Sequence, residues 1–198
     1  MKKYNIKPFK RKLKFKKRLD FRNKPAPFNN LIKSICPIKP NLIYVGDFTY
    51  IKFKSKYIFL ATFMDLFTRE IIGWSVSNKH NKKLVLSALL SALEHNDYRL
   101  PKAIHTDQGS EYNCKQYTNF LKYLNINVSM SKKASPWENA HQESFYSNFK
   151  TELGYEFDRF DTLGHLVEAI HQQINYHNKH RIHTVLKMTP YQFRLKHQ

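Results

Sequence analysis

The sequence predicts an α/β protein, a mixed five-stranded sheet flanked by helices with a basic extended arm at its N-terminus. Three observations carry that expectation. Three β-rich runs follow one another with short polar gaps, helical spacing of apolar residues begins at Asn81, and two further short strands then alternate with helical segments. The resulting order is βββαβαβαα.

The arm comes first and is the most charged part of the chain. Of 34 Lys and Arg residues, 14 fall in residues 1–40, against one of the 15 acids. Aromatic residues (Tyr4, Phe9, Phe15, Phe21) are interleaved with this charge, but no apolar stripe at helical spacing accompanies them. Lys24-Pro25-Ala26-Pro27 and the prolines at 37 and 40 read as extended linker, because proline removes a backbone donor and restricts the residue before it. A boundary is expected near Pro40, with residues 1–40 as arm and linker and residues 41–198 as the folded body.

Leu42–Phe53, Tyr57–Leu66 and Glu70–Ser77 are rich in Ile, Val, Phe, Tyr and Thr, and their short connections suit an antiparallel meander. From Asn81 to Glu94 the pattern changes, with Leu84, Val85, Leu89 and Leu93 on one helical face. Lys102–Thr106 is a short strand, Tyr117–Leu124 a helix and Ile126–Met130 another strand. Helices over Pro136–Leu153 and Thr162–Asn178 complete the body.

The net charge of +19 points to a polyanionic partner, since each phosphate contact releases counterions. An apolar fraction of 41% is too high for a disordered chain. The longest apolar stretch, Tyr57 to Met64, falls far short of the ~20 residues that a membrane span needs, and no secretory leader pattern is present. Two cysteines, Cys36 and Cys114, make neither a disulfide framework nor a Cys-based zinc site.

Three carboxylates stand out. Asp47 interrupts the first strand on the face shared by Ile43, Val45, Thr49 and Ile51, where an ionised group costs several kcal/mol unless it is paired or bound to a metal. Asp65, near the end of the second strand, reads instead as a turn or ion-pair residue. Asp107 closes the strand His105-Thr106-Asp107 at the kind of strand end where α/β sheets place functional groups. Ser135 and Glu138 have capping-box spacing, which accounts for Glu138 and leaves Glu143 farther into the helix. Asn139, Tyr146, Ser147 and Lys150 share its face, a strip whose plainest reading is a solvated surface. Three oxygen donors from distant segments are what two hard divalent cations require for an in-line phosphoryl displacement.

Val45-Gly46-Asp47-Phe48-Thr49-Tyr50-Ile51, Met64-Asp65-Leu66-Phe67-Thr68-Arg69 with Ile72-Gly73-Trp74, His105 to Tyr112, and Trp137-Glu138-Asn139-Ala140 through Phe145 resemble the integrase core of bacterial insertion-sequence transposases. These are relatives of retroviral integrases, the Asp-Asp-Glu recombinases. Thirty-five residues separate Asp107 from Glu143, the interval typical of that family. Tyr176, Asn178, Arg181, His183 and Thr189-Pro190 resemble its C-terminal signature, and the likeness runs from about Ile6 to Phe193. It implies a ribonuclease-H-like fold with Asp47, Asp107 and Glu143 as catalytic residues and as ligands of two Mg²⁺ or Mn²⁺. It also implies DNA, both element ends and target, as partner, a homo-oligomer on that DNA, no membrane, and a cytoplasmic, nucleoid-associated setting. Lys150 matches a basic position beyond the glutamate, and Lys132, Lys133, Arg181, His183, Lys10, Arg11 and Lys12 are the further expected DNA contacts.

Two features depart from the family. Its members usually begin with a helix-turn-helix segment, of which residues 1–8 resemble only the tail, and Glu138 stands where Asp is common. His165, His171, His177, His180 and His183 lack cysteine partners and read as helix-surface or DNA-facing groups rather than zinc ligands. The same carboxylates would also suit a silent DNA-binding remnant of a transposase, or a stand-alone nuclease.

Overall fold

The computed structural model describes residues 26–33, 35, 37–133, 135–154 and 156–197. Five strands form one sheet: β1 (Ile43–Phe53), β2 (Lys56–Asp65), β3 (Ile71–Ser77), β4 (Ala103–Thr106) and β5 (Asn127–Met130), in the spatial order β3-β2-β1-β4-β5. β1, β2 and β3 form the expected meander. β4 and β5 run parallel to β1 and to each other, each reached through a helix as parallel pairing requires.

The helices are α1 (Lys82–His95), α2 (Lys115–Tyr123), α3 (Ala140–Leu153), α4 (Leu163–Lys179) and α5 (Pro190–Lys196). Asn81 caps α1 by accepting the N–H groups of Lys83 and Leu84, and Thr162 caps α4 by accepting that of His165. α5 was not expected. Thr189 and Gln192 form a reciprocal capping box with Pro190 in the first turn, and this local chemistry starts a helix too short to show a period.

The two sheet faces are packed separately. Tyr44, Ala61, Phe63 and Ile104 meet Val85, Ala88, Leu89, Ala92 and Leu121 of α1 and α2. Ile51, Phe53, Leu60 and Met64 meet Phe145, Phe149, Leu166, Ile170 and Ile174 of α3 and α4. A Cβ on Gly73 would sit among the backbone atoms of Ala88 and Ala92, so glycine is what lets β3 approach α1 this closely.

The segment before β1 lies against the far edge of the sheet. A short 3-10 turn, Leu31–Lys33, donates the Leu31 N–H to Ser129 Oγ at 2.9 Å, and Ile32 and Ile35 pack on Ile43, Val45 and Leu66. Asp65 is buried and accepts the N–H groups of Asn41, Phe67 and Thr68, the turn role expected for it.

Candidate active site

The strand register brings the two aspartates together. Val45 on β1 pairs with His105 on β4, and Asp47 and Asp107 each lie two residues farther on, so side-chain alternation sends both to the same face. The face is the one that α3 covers. Glu143 projects from the first turn of that helix, and the three carboxylates line one cavity of about 690 Å³. Gln108, Asn113, Ser131, Lys132, Lys133 and Asn139 complete much of its wall. Among the described residues, no three or more His, Cys, Asp or Glu side chains are drawn tightly enough together to enclose a metal ion as they stand.

Two side chains of α3 fix where Glu143 sits. Gln142 is fully buried; its amide donates to the Val45 carbonyl at 2.6 Å, and its carbonyl accepts from Thr62 Oγ1 at 3.1 Å. The Tyr146 hydroxyl donates to the carbonyl of Asp47 itself at 2.8 Å and shares a hydrogen bond with Thr62. Tyr146 is therefore buried, so the strip that includes Glu143 is not merely a solvated helix face. Nothing in the helical period distinguishes a tyrosine pinned to a strand from one in water, because the partners lie more than 80 residues away in sequence.

Asp47 is half-buried and accepts the Phe48 N–H at 2.8 Å. Burial, followed by the charge of Asp107, pushes its carboxyl up to about 7, with Glu143 adding to the effect. Asp107 is also raised, chiefly by burial, while the Gly109 N–H at 2.9 Å pulls the other way. A Cβ on Gly109 would come within 2.9 Å of Asp107 Oδ1 and 3.0 Å of Glu111 Oε2, so the missing side chain keeps both carboxylates clear. Glu111 was not singled out from the sequence. It is buried and meets His80 at 3.2 Å, a contact between a loop and the segment leading into α1.

Glu138 departs from expectation. Ser135 makes no side-chain cap, residues 136–139 form a 3-10 turn, and the α-helix begins at Ala140. The Glu138 carboxylate instead accepts from Lys33 at 2.6 Å, from Asn30 at 2.8 Å and from the Lys132 N–H at 2.7 Å. Burial alone would raise its pKa, but these three partners hold it below the ordinary carboxylate value. With its carboxylate committed to the segment before β1, it cannot reach back to the N-cap.

The expected DNA contacts are dispersed. Lys132 and Lys133 line the carboxylate cavity. Lys150 lies over the Tyr50 ring at 5.0 Å. Arg181 pairs with Glu152 at 2.6 Å, and His183 sits in a different cleft, beyond α3. Lys10, Arg11 and Lys12 lie outside the described residues. Within the C-terminal signature, Asn178 grips both backbone groups of Ile71 at the start of β3. Of the histidines, His165, His171 and His180 are exposed, whereas His177 is buried against Phe145 with its Nε2 at 3.1 Å from the Arg69 carbonyl.

Comparison with known proteins bears on this geometry. The Integrase core domain family matches residues 37–136, half of the chain and both aspartates, and a second integrase core family matches residues 143–197. The chain belongs to the integrase core domain family. Among curated relatives, the transposase for insertion sequence element IS904 of Lactococcus lactis is 35% identical over 83% of this chain and 64% of its own length. The putative transposase InsK for IS150 of Escherichia coli is 32% identical over 84% of this chain and 59% of its own length. This integrase core chain thus spans about three-fifths of those relatives. Among solved structures, the HTLV-2 integrase catalytic core domain in complex with magnesium superposes with a TM-score of 0.66, covering 79% of this chain and 98% of that one at 22% identity. The fold is therefore the ribonuclease-H-like one.

Proposed function

We propose that this integrase core catalyses metal-dependent cleavage of DNA and transfer of the freed strand end to a target, the chemistry of a transposase, with Asp47, Asp107 and Glu143 as its catalytic residues. One observation carries the proposal: three carboxylates from β1, the loop after β4 and α3 line a single cavity whose rim holds Lys132 and Lys133. The family and its insertion-sequence relatives supply the reaction class.

The donor set fits hard divalent cations. All three groups offer oxygen, and Asp47 is raised first by burial and then by the charges of Asp107 and Glu143, a repulsion that a cation would relieve. Asp47, Asp107 and Glu143 would together hold two Mg²⁺ or Mn²⁺, as magnesium accompanies the HTLV-2 core. Bound ions would activate the attacking oxygen and stabilise the leaving one. The chain's own part is to position and neutralise. Tyr146 and Gln142 hold α3 against β1 and β2, Gly109 leaves room beside Asp107, and Lys132 and Lys133 offset phosphate charge at the cavity mouth. In the first step water displaces a 3′-oxygen from a phosphodiester, leaving a 3′-hydroxyl and a 5′-phosphate. In the second, that hydroxyl attacks a target phosphodiester and its proton is lost as the target's own 3′-oxygen departs. Lys150, Arg181, His183 and the arm's Lys10, Arg11 and Lys12 are the proposed DNA contacts outside the cavity. Joining two ends calls for a homo-oligomer on the DNA, and the setting proposed is the nucleoid.

The test is to incubate the purified chain with a labelled element end, Mg²⁺ and target plasmid. Cleavage followed by joining is expected. Asp107→Asn or Glu143→Gln should abolish cleavage while leaving DNA affinity within about twofold. Wild-type cleavage rates in either variant would overturn the assignment, cleavage without joining would reduce the protein to a nuclease, and no cleavage at all would make it a silent binder.

A further inference from the structure

Residues 131–139 lead into α3 and form one wall of the carboxylate cavity, with Ser131, Lys132, Lys133, Ser135 and Asn139 lining it. Gln142 and Tyr146 tie the helix itself to the sheet, but both lie beyond this entry. The entry has little turn chemistry of its own. Ser135 and Asn139 make no side-chain cap, and Trp137, the largest side chain of the 3-10 turn, is 68% exposed.

Glu138 supplies what the turn lacks. Its side chain is 3% exposed, and Oε2 accepts both from Asn30 Nδ2 at 2.8 Å and from the Lys132 N–H at 2.7 Å. One atom thus joins the wall of the cavity to a residue 108 positions earlier. Oε1 meets Lys33 Nζ at 2.6 Å. Lys33 is more than half exposed, and an ion pair in water contributes little, so the weight falls on the two charge-assisted bonds to Oε2. Residues 29–31 are fastened in turn to β5. The Leu31 N–H donates to Ser129 Oγ at 2.9 Å, and the Met130 N–H donates to the Asn29 carbonyl at 3.4 Å. Ser129 Oγ also meets Nδ1 of His105, two residues before Asp107, at 2.8 Å.

We propose that Glu138 is a positioning residue for strand cleavage: by clasping Asn30 and Lys33 it holds residues 131–139, and with them Lys132 and Asn139, against the carboxylate cavity. Residues 29–33, which the charge and proline pattern assigns to a linker, are then part of the framework of the site. A shift of that segment would free Glu138 and loosen the cavity wall, stalling the reaction with Asp47, Asp107 and Glu143 all still present. The inference rests on the reading of the cavity as a DNA-cleaving site, but the clasp itself can be read without catalysis.

Two measurements on the full chain test it. In metal-free protein, Asn30→Ala should speed amide hydrogen exchange across residues 131–139 roughly fivefold, far in sequence from the substitution. In cleavage of a labelled element end with Mg²⁺, Asn30→Ala and Glu138→Ala should each lower kcat roughly tenfold to hundredfold, with KM for DNA within about threefold because no basic residue is lost. The double variant should lose no more than Glu138→Ala alone, since both substitutions remove the same contact. Exchange across 131–139 that keeps its wild-type rate in Asn30→Ala would overturn the proposal, whether or not the chain cuts DNA. So would a rise in KM that accounts for the whole loss, or additive losses in the double variant. If Glu138→Ala does not fold, Asn30→Ala carries both measurements. A wild type that cuts no DNA would overturn the reading of the cavity and leave the exchange result to decide the clasp.

Discussion

The two faces of the sheet are built on different principles. The face under α1 and α2 is joined mainly by apolar contacts from Val85, Ala88, Leu89 and Ala92, which are non-directional, with a buried polar tie at the end of α1, where Asn96 donates to the Tyr44 hydroxyl at 2.9 Å. The face under α3 carries an apolar layer too, but adds Gln142, Thr62 and Tyr146, buried polar groups that bond to Val45 and Asp47. Hydrogen bonds are directional, and the helix they fix is the one that bears Glu143. The lesson is that the site-bearing face gives up some apolar burial for a defined angle between Asp47 and Glu143.

Substitutions that separate stability from geometry would break this comparison. The largest stability loss is expected from Leu89→Ala on the α1 face, about 2–5 kcal/mol from lost burial and the cavity left behind, measured by urea unfolding. Cleavage per folded molecule should stay close to wild type. Gln142→Leu should cost less, about 1–3 kcal/mol, because it strands the Val45 carbonyl and leaves the Thr62 hydroxyl with Tyr146 alone. Its cleavage rate per folded molecule should fall at least tenfold, and an unchanged rate would remove directional bonding as the device that places Glu143.

The smallest effect is at the sheet end where the two faces meet. Glu70 is buried beside Arg194 at 2.8 Å, and burial pushes its carboxyl up to about 7 despite the pull of that arginine. His95 of α1, 3.9 Å away, together with Lys179 and Asp65, completes its charged surroundings. A carboxyl raised in the folded state contributes stability that is fully present below its ordinary pKa near 4.5 and is lost as pH rises through about 7. The wild type should therefore lose about 1 kcal/mol or more relative to Glu70→Gln between pH 5 and pH 8, read as the difference in Tm. A difference that does not vary with pH would show that Glu70 stays ionised throughout.

Much of this architecture was legible beforehand. Each strand begins and ends within one or two residues of its alternating run, and α1 and α4 start at the capping residues Asn81 and Thr162. Asp47 was conspicuous because a charge interrupted an apolar face, and the interval from Asp107 to Glu143 belonged to a recognisable family. Hidden were α5, whose seven residues carry a cap but no period, and the true role of Glu138, whose spacing mimicked a capping box.

Periodicity and charge are local properties, written in neighbouring residues, and so the amino-acid sequence by itself determined the order of elements, the basic arm and the three conspicuous acids. Which polar side chains leave water was decided only by tertiary structure. Gln142 finds Val45 across 97 residues, Tyr146 finds Asp47 across 99, and Asn178 finds Ile71 across 107. A side chain's need for a partner is fixed by its chemistry, but the partner is supplied by whichever distant strand the packing of the core brings within 3 Å.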